Sequence, residues 1–313
     1  MSTIDRAADA VLAPTILRKP AKKRPKFKNT WWRHLVGLLA VVFALFPVVY
    51  IMSAAFNATP TLTGSTLIPR HVTLDNFREL FNTNVSGSSS QASANYLRWL
   101  TNSIVVAGVT SLIAVMLSAF AAYAFSRFRF KGRRLGMLSL LLIQMFPQLL
   151  LIVAIYLIVL QTGNVFGVLG LNHLTALIVV YLGGAMGVNT WLMKGFFDTI
   201  PKELDESARV DGATPAQVFW GVVLPLAAPV LAVIALITFV GAINEFAIAS
   251  AILQTTNHFT LGVGMQSYID QKYAEHWGPF AAGVLIAAVP VVLLFTFLQR
   301  FIVAGLTQGS VKG

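Results

Sequence analysis

Cysteine is absent from this chain, which excludes a disulfide framework and any thiolate metal site. Charge is scarce as well. Charged residues make up 11% of the 313 positions and hydrophobic ones 56%, whereas a soluble domain carries about a quarter charged residues. The five histidines (His34, His71, His173, His258 and His276) are scattered without ligand-like spacing, so no metal site is expected. No G-x-x-x-x-G-K-[ST] occurs, so the chain has no P-loop and no nucleotide cofactor is expected in it. No ordered Ser/His/Asp set or carboxylate pair is apparent either, and no catalytic residues are expected.

Long apolar runs take the place of charge. A membrane-spanning helix needs about 20 apolar residues, and six stretches supply them: roughly Leu35–Ala55, Trp99–Phe125, Leu135–Leu160, Thr175–Phe197, Leu226–Leu253 and Phe280–Val303. An all-α integral membrane protein with six transmembrane helices is predicted. The first run is too long, and its basic leader too extended, for a signal peptide. Of the 23 basic residues, 19 fall on one side of these spans, in the N-terminal tail, the segment Arg127–Arg134, the loop after span four and the C-terminal tail. The positive-inside rule then places both termini in the cytoplasm. The net charge of +11 is thereby a matter of topology. The bilayer and its anionic lipids are the expected partner of the basic segments, not nucleic acid.

Residues 1–31 read as a basic cytoplasmic tail, 32–95 as the first span with an external segment, 96–303 as the core and 304–313 as a second cytoplasmic tail. Within the external segment, Asp75–Phe81 suits a short amphipathic helix and serine-rich Val85–Ala94 a flexible loop. The third external loop, Gln254–Pro279, reads as long and polar. Glu245 is the one clear acid inside a span. Such a group is a functional candidate, but one acid is thin support for a proton relay, and a hydrogen bond to a neighbouring helix or a wet cavity suits it better. Gln144 and Gln148 sit one helical turn apart with Pro147 between them, a proline that should kink the helix. With Asn189, Thr190 and Asn244, these amides suit either a polar translocation path or interhelical hydrogen bonding.

The most ordered polar stretch lies between spans four and five, at 201–225. Pro201 and Glu203 suit the first turn of a helix, and Gly212 suits its left-handed end. Thr214-Pro215-Ala216-Gln217 reads as a capping box with proline at the first helical position. A rigid helix–bend–helix finger is predicted.

Glu206, Ser207, Ala208, Gly212, Val222, Leu224 and Pro225 fall in register with the EAA loop of permease subunits of type I ABC importers, and this loop resembles it. Ser207 replaces the first alanine of the pattern and Val222 its isoleucine. The stretch Ala121–Phe130, Gln144–Pro147, Tyr181–Gly184 and Gly264–Tyr268, with the tail Gly305–Gly313, is similar to carbohydrate permeases, in particular those of maltose/maltodextrin importers. The resemblance implies a type I ABC importer permease fold, a second homologous permease subunit, a cytoplasmic ABC ATPase dimer that binds ATP and Mg, and an extracytoplasmic sugar-binding protein. It implies import of maltose-like or trehalose-like sugars by a non-catalytic subunit. It makes Glu206, Ser207, Ala208, Asp211, Gly212, Leu224 and Pro225 the ATPase-docking residues. It also puts Val263, Gly264, Met265, Gln266 and Ser267 against the binding protein and the C-terminal tail in the ATPase interface. An ABC permease for another solute, a proton-coupled carrier and a membrane-bound enzyme are the alternatives. The loop and the missing acid relay argue against the carrier, and the lack of a catalytic set argues against the enzyme.

Overall fold

The computed structural model describes residues 31–58, 68–69, 71–81, 88–269 and 277–308. The basic tail before Trp31, residues 59–67 with Pro60 and Gly64, residues 70, 82–87 and 270–276, and the extreme C-terminus fall outside those residues. Two compact units are distinguished, one up to Val48 and one from Val49.

The first helix, α1 (Trp31–Phe56), carries Pro47 inside it. Its side chains from Trp31 to Val48 are exposed, nearly all of them apolar, as a lipid-facing helix requires. In the second unit, α2 (Asp75–Phe81) has the bounds expected from sequence. Asn76 anchors it by donating to the Ala55 and Asn57 carbonyls at 2.8 and 2.9 Å. The next helix, α3 (Ser88–Arg127), is 40 residues long. It absorbs most of the serine-rich stretch that was expected to be a loop.

Span three is not one kinked helix. It divides into α4 (Arg133–Gln144) and α5 (Gln148–Val165), because Pro147 takes an extended ψ of 116° and offers no N–H to continue the ladder. The chain continues through α6 (Leu174–Phe197) and the finger helix α7 (Lys202–Val210). Helix α8 (Pro215–Leu226) follows and meets α9 (Ala228–Asn244) at a 76° bend. Among the described residues, five helices are long and apolar enough to cross a membrane, and six if the bent pair counts as one span. Span five was expected to run on to Leu253. It stops at Asn244, and Glu245 starts a new short helix, α10 (Ala247–Ile252).

Glu245 explains that restart. Its carboxylate accepts from the Ile248 and Ala249 N–H groups at 2.7 and 3.0 Å, the donors a helix leaves open at its N-terminus. It also accepts from the Tyr181 hydroxyl of α6 at 2.5 Å. The one intramembrane acid therefore ties two helices together.

The described part of Gln254–Pro279, which leaves out 270–276, carries helices of its own. It holds α11 (Leu261–Gln266), and the final helix, α12, already starts at Trp277 and runs to Gln308. Small residues let these helices approach. Ser103, Ala107, Ala114, Ser118 and Ala122 recur along α3 and are all buried. Ser111 donates across to the Ala235 carbonyl of α9 at 2.7 Å. One buried cluster joins α3 and α6 to α8 and α9 through Ala119, Tyr123, Met193, Phe197, Phe219 and Ile234. A second cluster gathers Ala55, Leu80, Tyr96, Trp99, Met265 and Tyr268.

Candidate docking finger and its anchor

The bend between α7 and α8 is built by local sequence. Helix α7 ends on Gly212, whose φ is +86°. The Gly212 N–H reaches the Arg209 carbonyl at 3.0 Å and the Ala213 N–H reaches Ala208 at 2.9 Å, the paired bonds of a Schellman stop. Two residues later α8 begins with a complete capping box. Thr214 Oγ1 accepts from the Gln217 N–H at 3.3 Å, and Gln217 Oε1 accepts from the Thr214 N–H at 2.8 Å. Pro215 occupies the first turn. Pro201, expected inside the first turn of α7, is the residue just before it. Further on, Phe219–Val223 form a π-helical turn. That turn aims Phe219 and Val223 into the core, and Phe219 packs on Tyr123 at 5.1 Å between ring centroids.

The expected docking residues divide by environment. Glu206, Ser207, Asp211, Gly212 and Pro225 are exposed. Ala208 and Leu224 are partly buried and pack against the α3–α6–α8 cluster. The first five offer a surface and the last two hold it in place. Val210, 87% exposed, belongs to the same outward face. Sequence reasoning passed it over, although an apolar residue three positions after Ser207 in a polar loop is a signal of contact.

Sequence reasoning also missed the anchor. Asp205 is the one fully buried residue of α7, and Arg127, the last residue of α3, meets it with Nε and Oδ2 2.5 Å apart. Both side chains are about 95% buried. The contact is an ion pair without aligned hydrogen-bond geometry, and Asp205 Oδ1 accepts no hydrogen bond among the described residues. Arg127 also donates to the Phe197 and Ile200 carbonyls, each at 3.1 Å. Ser126 beside it donates to Asp198 at 2.7 Å, and Lys194 reaches the same carboxylate at 2.5 Å. One arginine thus gathers the end of α3, the end of α6 and the finger.

A family model described as "Binding-protein-dependent transport system inner membrane component" matches residues 114–308. That span includes the bent finger and both members of its anchor. The chain belongs to this family. Among curated relatives, the maltose/maltodextrin transport system permease protein MalG of Vibrio vulnificus is 40% identical over 91% of this chain and 96% of its own length. MalG of Escherichia coli K12 is 39% identical over 90% and 95%. The galactooligosaccharides transport system permease protein GanQ of Bacillus subtilis is 37% identical over 89% and 94%. The fold matches a chain of a bacterial ABC transporter involved in alginate import, with TM-score 0.67, 22% identity and coverage of 96% and 98%. It matches a second alginate transporter structure, in complex with a substrate-bound periplasmic protein, with TM-score 0.62, 18% identity and coverage of 87% and 94%.

In this permease the four amides assigned to a translocation path are not joined by hydrogen bonds to one another. Asn189 is buried and donates to Thr238 Oγ1 of α9 at 2.9 Å, which is the interhelical bonding weighed against a pore role. Gln144 donates to the Gly184 carbonyl at 2.7 Å and closes the broken end of α4 onto α6. Gln148 and Asn244 are exposed and remain open to a substrate or a partner. The segment assigned to the binding protein also divides. Val263, Gly264 and Met265 are buried, Gln266 is half-buried and Ser267 is exposed. The first three are core residues of α11, so only the end of this helix offers a surface.

Proposed function

We propose that this chain is the permease subunit of an ATP-driven oligosaccharide importer for maltose-like or trehalose-like α-glucosides. It works with a second homologous permease, a cytoplasmic ATPase dimer that holds ATP and Mg, and an extracytoplasmic binding protein. The observation that carries the sugar class is near-full-length identity of 39–40% to permeases named for maltose/maltodextrin. The test is uptake in vesicles holding all four components. Labelled maltose or trehalose should enter only with ATP and binding protein present. Entry of galactooligosaccharide alone would reassign the sugar, and uptake by this chain alone on a proton gradient would overturn the mechanism.

The mechanism follows from the finger. An ATPase dimer that closes on ATP binds two permease states differently, and that difference in affinity is what shifts the pore between them. A finger capped at both helix ends and anchored by a buried ion pair moves as one piece, so displacement at Glu206 reaches the ends of α3 and α6. Glu206 is the charge contact to a basic residue of the ATPase. Gly212→Val should impair transport more than Glu206→Lys. No neighbour crowds a Cβ at position 212, but a φ of +86° costs a non-glycine residue about 1–2 kcal/mol and a β-branched one more. A lost exposed ion pair costs at most about 1 kcal/mol. ATPase co-purification and sugar uptake, normalised to permease in the membrane, measure both. Parental values for both variants would remove the finger from the coupling path.

On this reading the finger and both termini lie in the cytoplasm, and the one-sided distribution of basic residues supports that orientation. In this cysteine-free chain, His71→Cys should react with an impermeant maleimide on intact spheroplasts. Val210→Cys should react only after lysis. The reverse pattern would invert the topology.

A further inference from the structure

Lys194 and Asp198, which neighbour the finger's anchor, also line a second feature. The first turns of α4 and the last turns of α6 enclose a cavity of about 840 Å³. One part of its wall is cationic, with Arg133, Arg134 and Lys194. The rest is largely apolar, including Met137, Leu138 and Trp191. The single acid there is Asp198. Burial raises its pKa, but hydrogen bonds from Lys194 and Ser126 more than offset this and hold it below the usual carboxylate value. Asp198 is therefore ionised and already engaged, and it neutralises Lys194. Arg133 also acts on Asp198 through its charge, but neither it nor Arg134 forms a salt bridge among the described residues, and three basic side chains against one carboxylate leave the cavity net positive.

Depth decides what such a cavity suits. Four residues separate Phe197, the end of a membrane-length helix, from α7, so the cationic wall lies where apolar span gives way to polar loop. A soluble anion would match the arginines but not the apolar wall beneath them. A protein apolar face would match that wall but would leave two guanidinium groups desolvated at high cost. A phospholipid has both parts in the required order, and basic pockets between membrane helices take anionic headgroups. We propose that this cavity is a binding site for an anionic phospholipid, its phosphate on Arg133 and Arg134 and an acyl chain along Met137 and Leu138. The site needs only the membrane embedding of α4 and α6, not any particular sugar.

Trp191 is 47% exposed in the cavity wall and serves as the reporter. The whole transporter is purified in detergent, and its fluorescence is titrated with brominated phosphatidylglycerol or brominated phosphatidylcholine, without sugar or ATP. Subtracting the Trp191→Phe transporter isolates the Trp191 signal. Brominated phosphatidylglycerol should quench it at a mole fraction on the order of tenfold lower than phosphatidylcholine. The preference should vanish in Arg133→Gln/Arg134→Gln and persist in Arg133→Lys/Arg134→Lys, which keeps charge and controls for folding. Equal quenching by both lipids would mean ordinary annular contact. No quenching by either would mean that a partner protein fills the cavity. Either of these results overturns the proposal. Because no transport is measured, a wrong sugar assignment leaves the result unaffected.

Discussion

Asp205→Ala should release the finger from the membrane domain while leaving the spans inserted. The substitution strands the Arg127 guanidinium, 3% exposed, with only the Phe197 and Ile200 carbonyls and Ser126 for company. Removing one member of a buried pair costs about 3–5 kcal/mol, mostly because the other charge stays behind. Arg127→Met should cost a similar amount and also free the two carbonyls at the end of α6. The double variant Arg127→Met/Asp205→Leu should recover much of the stability, since a buried pair is often replaced by apolar residues at little net cost. It should not recover coupling, because the link from finger to α3 and α6 through the guanidinium is gone. Thermal unfolding of the purified transporter, taken through the double-mutant cycle, gives the first quantity, and sugar moved per ATP hydrolysed gives the second. If Asp205→Ala unfolds and couples like the parent, the ion pair is not the anchor and the finger is held by apolar packing alone.

That anchor was invisible in the sequence for a physical reason. Arg127 counts among the basic residues that set topology, and Asp205 stands close to Glu203, Glu206 and Ser207 in a polar loop. Both read as solvated. Only the approach of α3 to the finger, across 78 positions of chain, buries them together. The finger itself was legible because its signals are local. A Schellman stop and a capping box are decided within a few residues of Gly212 and Thr214, and both are present in the folded chain. The number of apolar runs was legible too, through length alone. Their breaks were legible only in part. Pro147 announced a distortion, but whether a proline bends a helix or divides it depends on what satisfies the freed backbone groups. Here Gln144 turns to Gly184 and the helix divides. Glu245 announced a polar role without saying that the role is to cap α10.

The segment from Val263 to Ser267, which the resemblance sets against a binding protein, owes most of its side chains to the core, with Val263, Gly264 and Met265 buried. Gly264→Val should therefore act on folding before it acts on any partner. A Cβ at position 264 would fall inside the contact distance of the Trp99 ring, at its Cδ2 and Cε3 atoms. Trp99 cannot step aside. It is wholly buried, and its indole N–H donates to the Thr256 carbonyl at 2.7 Å. Inserting one methyl group into a packed core typically costs about 1–3 kcal/mol, and an overlap with a rigid, pinned ring belongs at the upper end or beyond. The glycine is needed for close approach, not for a left-handed backbone, since 264 lies within helix α11. Gly264→Ala should lower the melting temperature of the detergent-purified transporter, and Gly264→Val should prevent accumulation of folded permease in the membrane. Trp99→Phe removes the ring atoms that collide, so Gly264→Ala should cost less in a Trp99→Phe background than in the parent. Ser267→Ala, at the exposed end of α11, should leave stability unchanged and is the variant with which to ask about the binding protein. If Gly264→Ala folds and melts like the parent, the Trp99 contact is not tight, and α11 is free to meet a binding protein along its length as the resemblance implies.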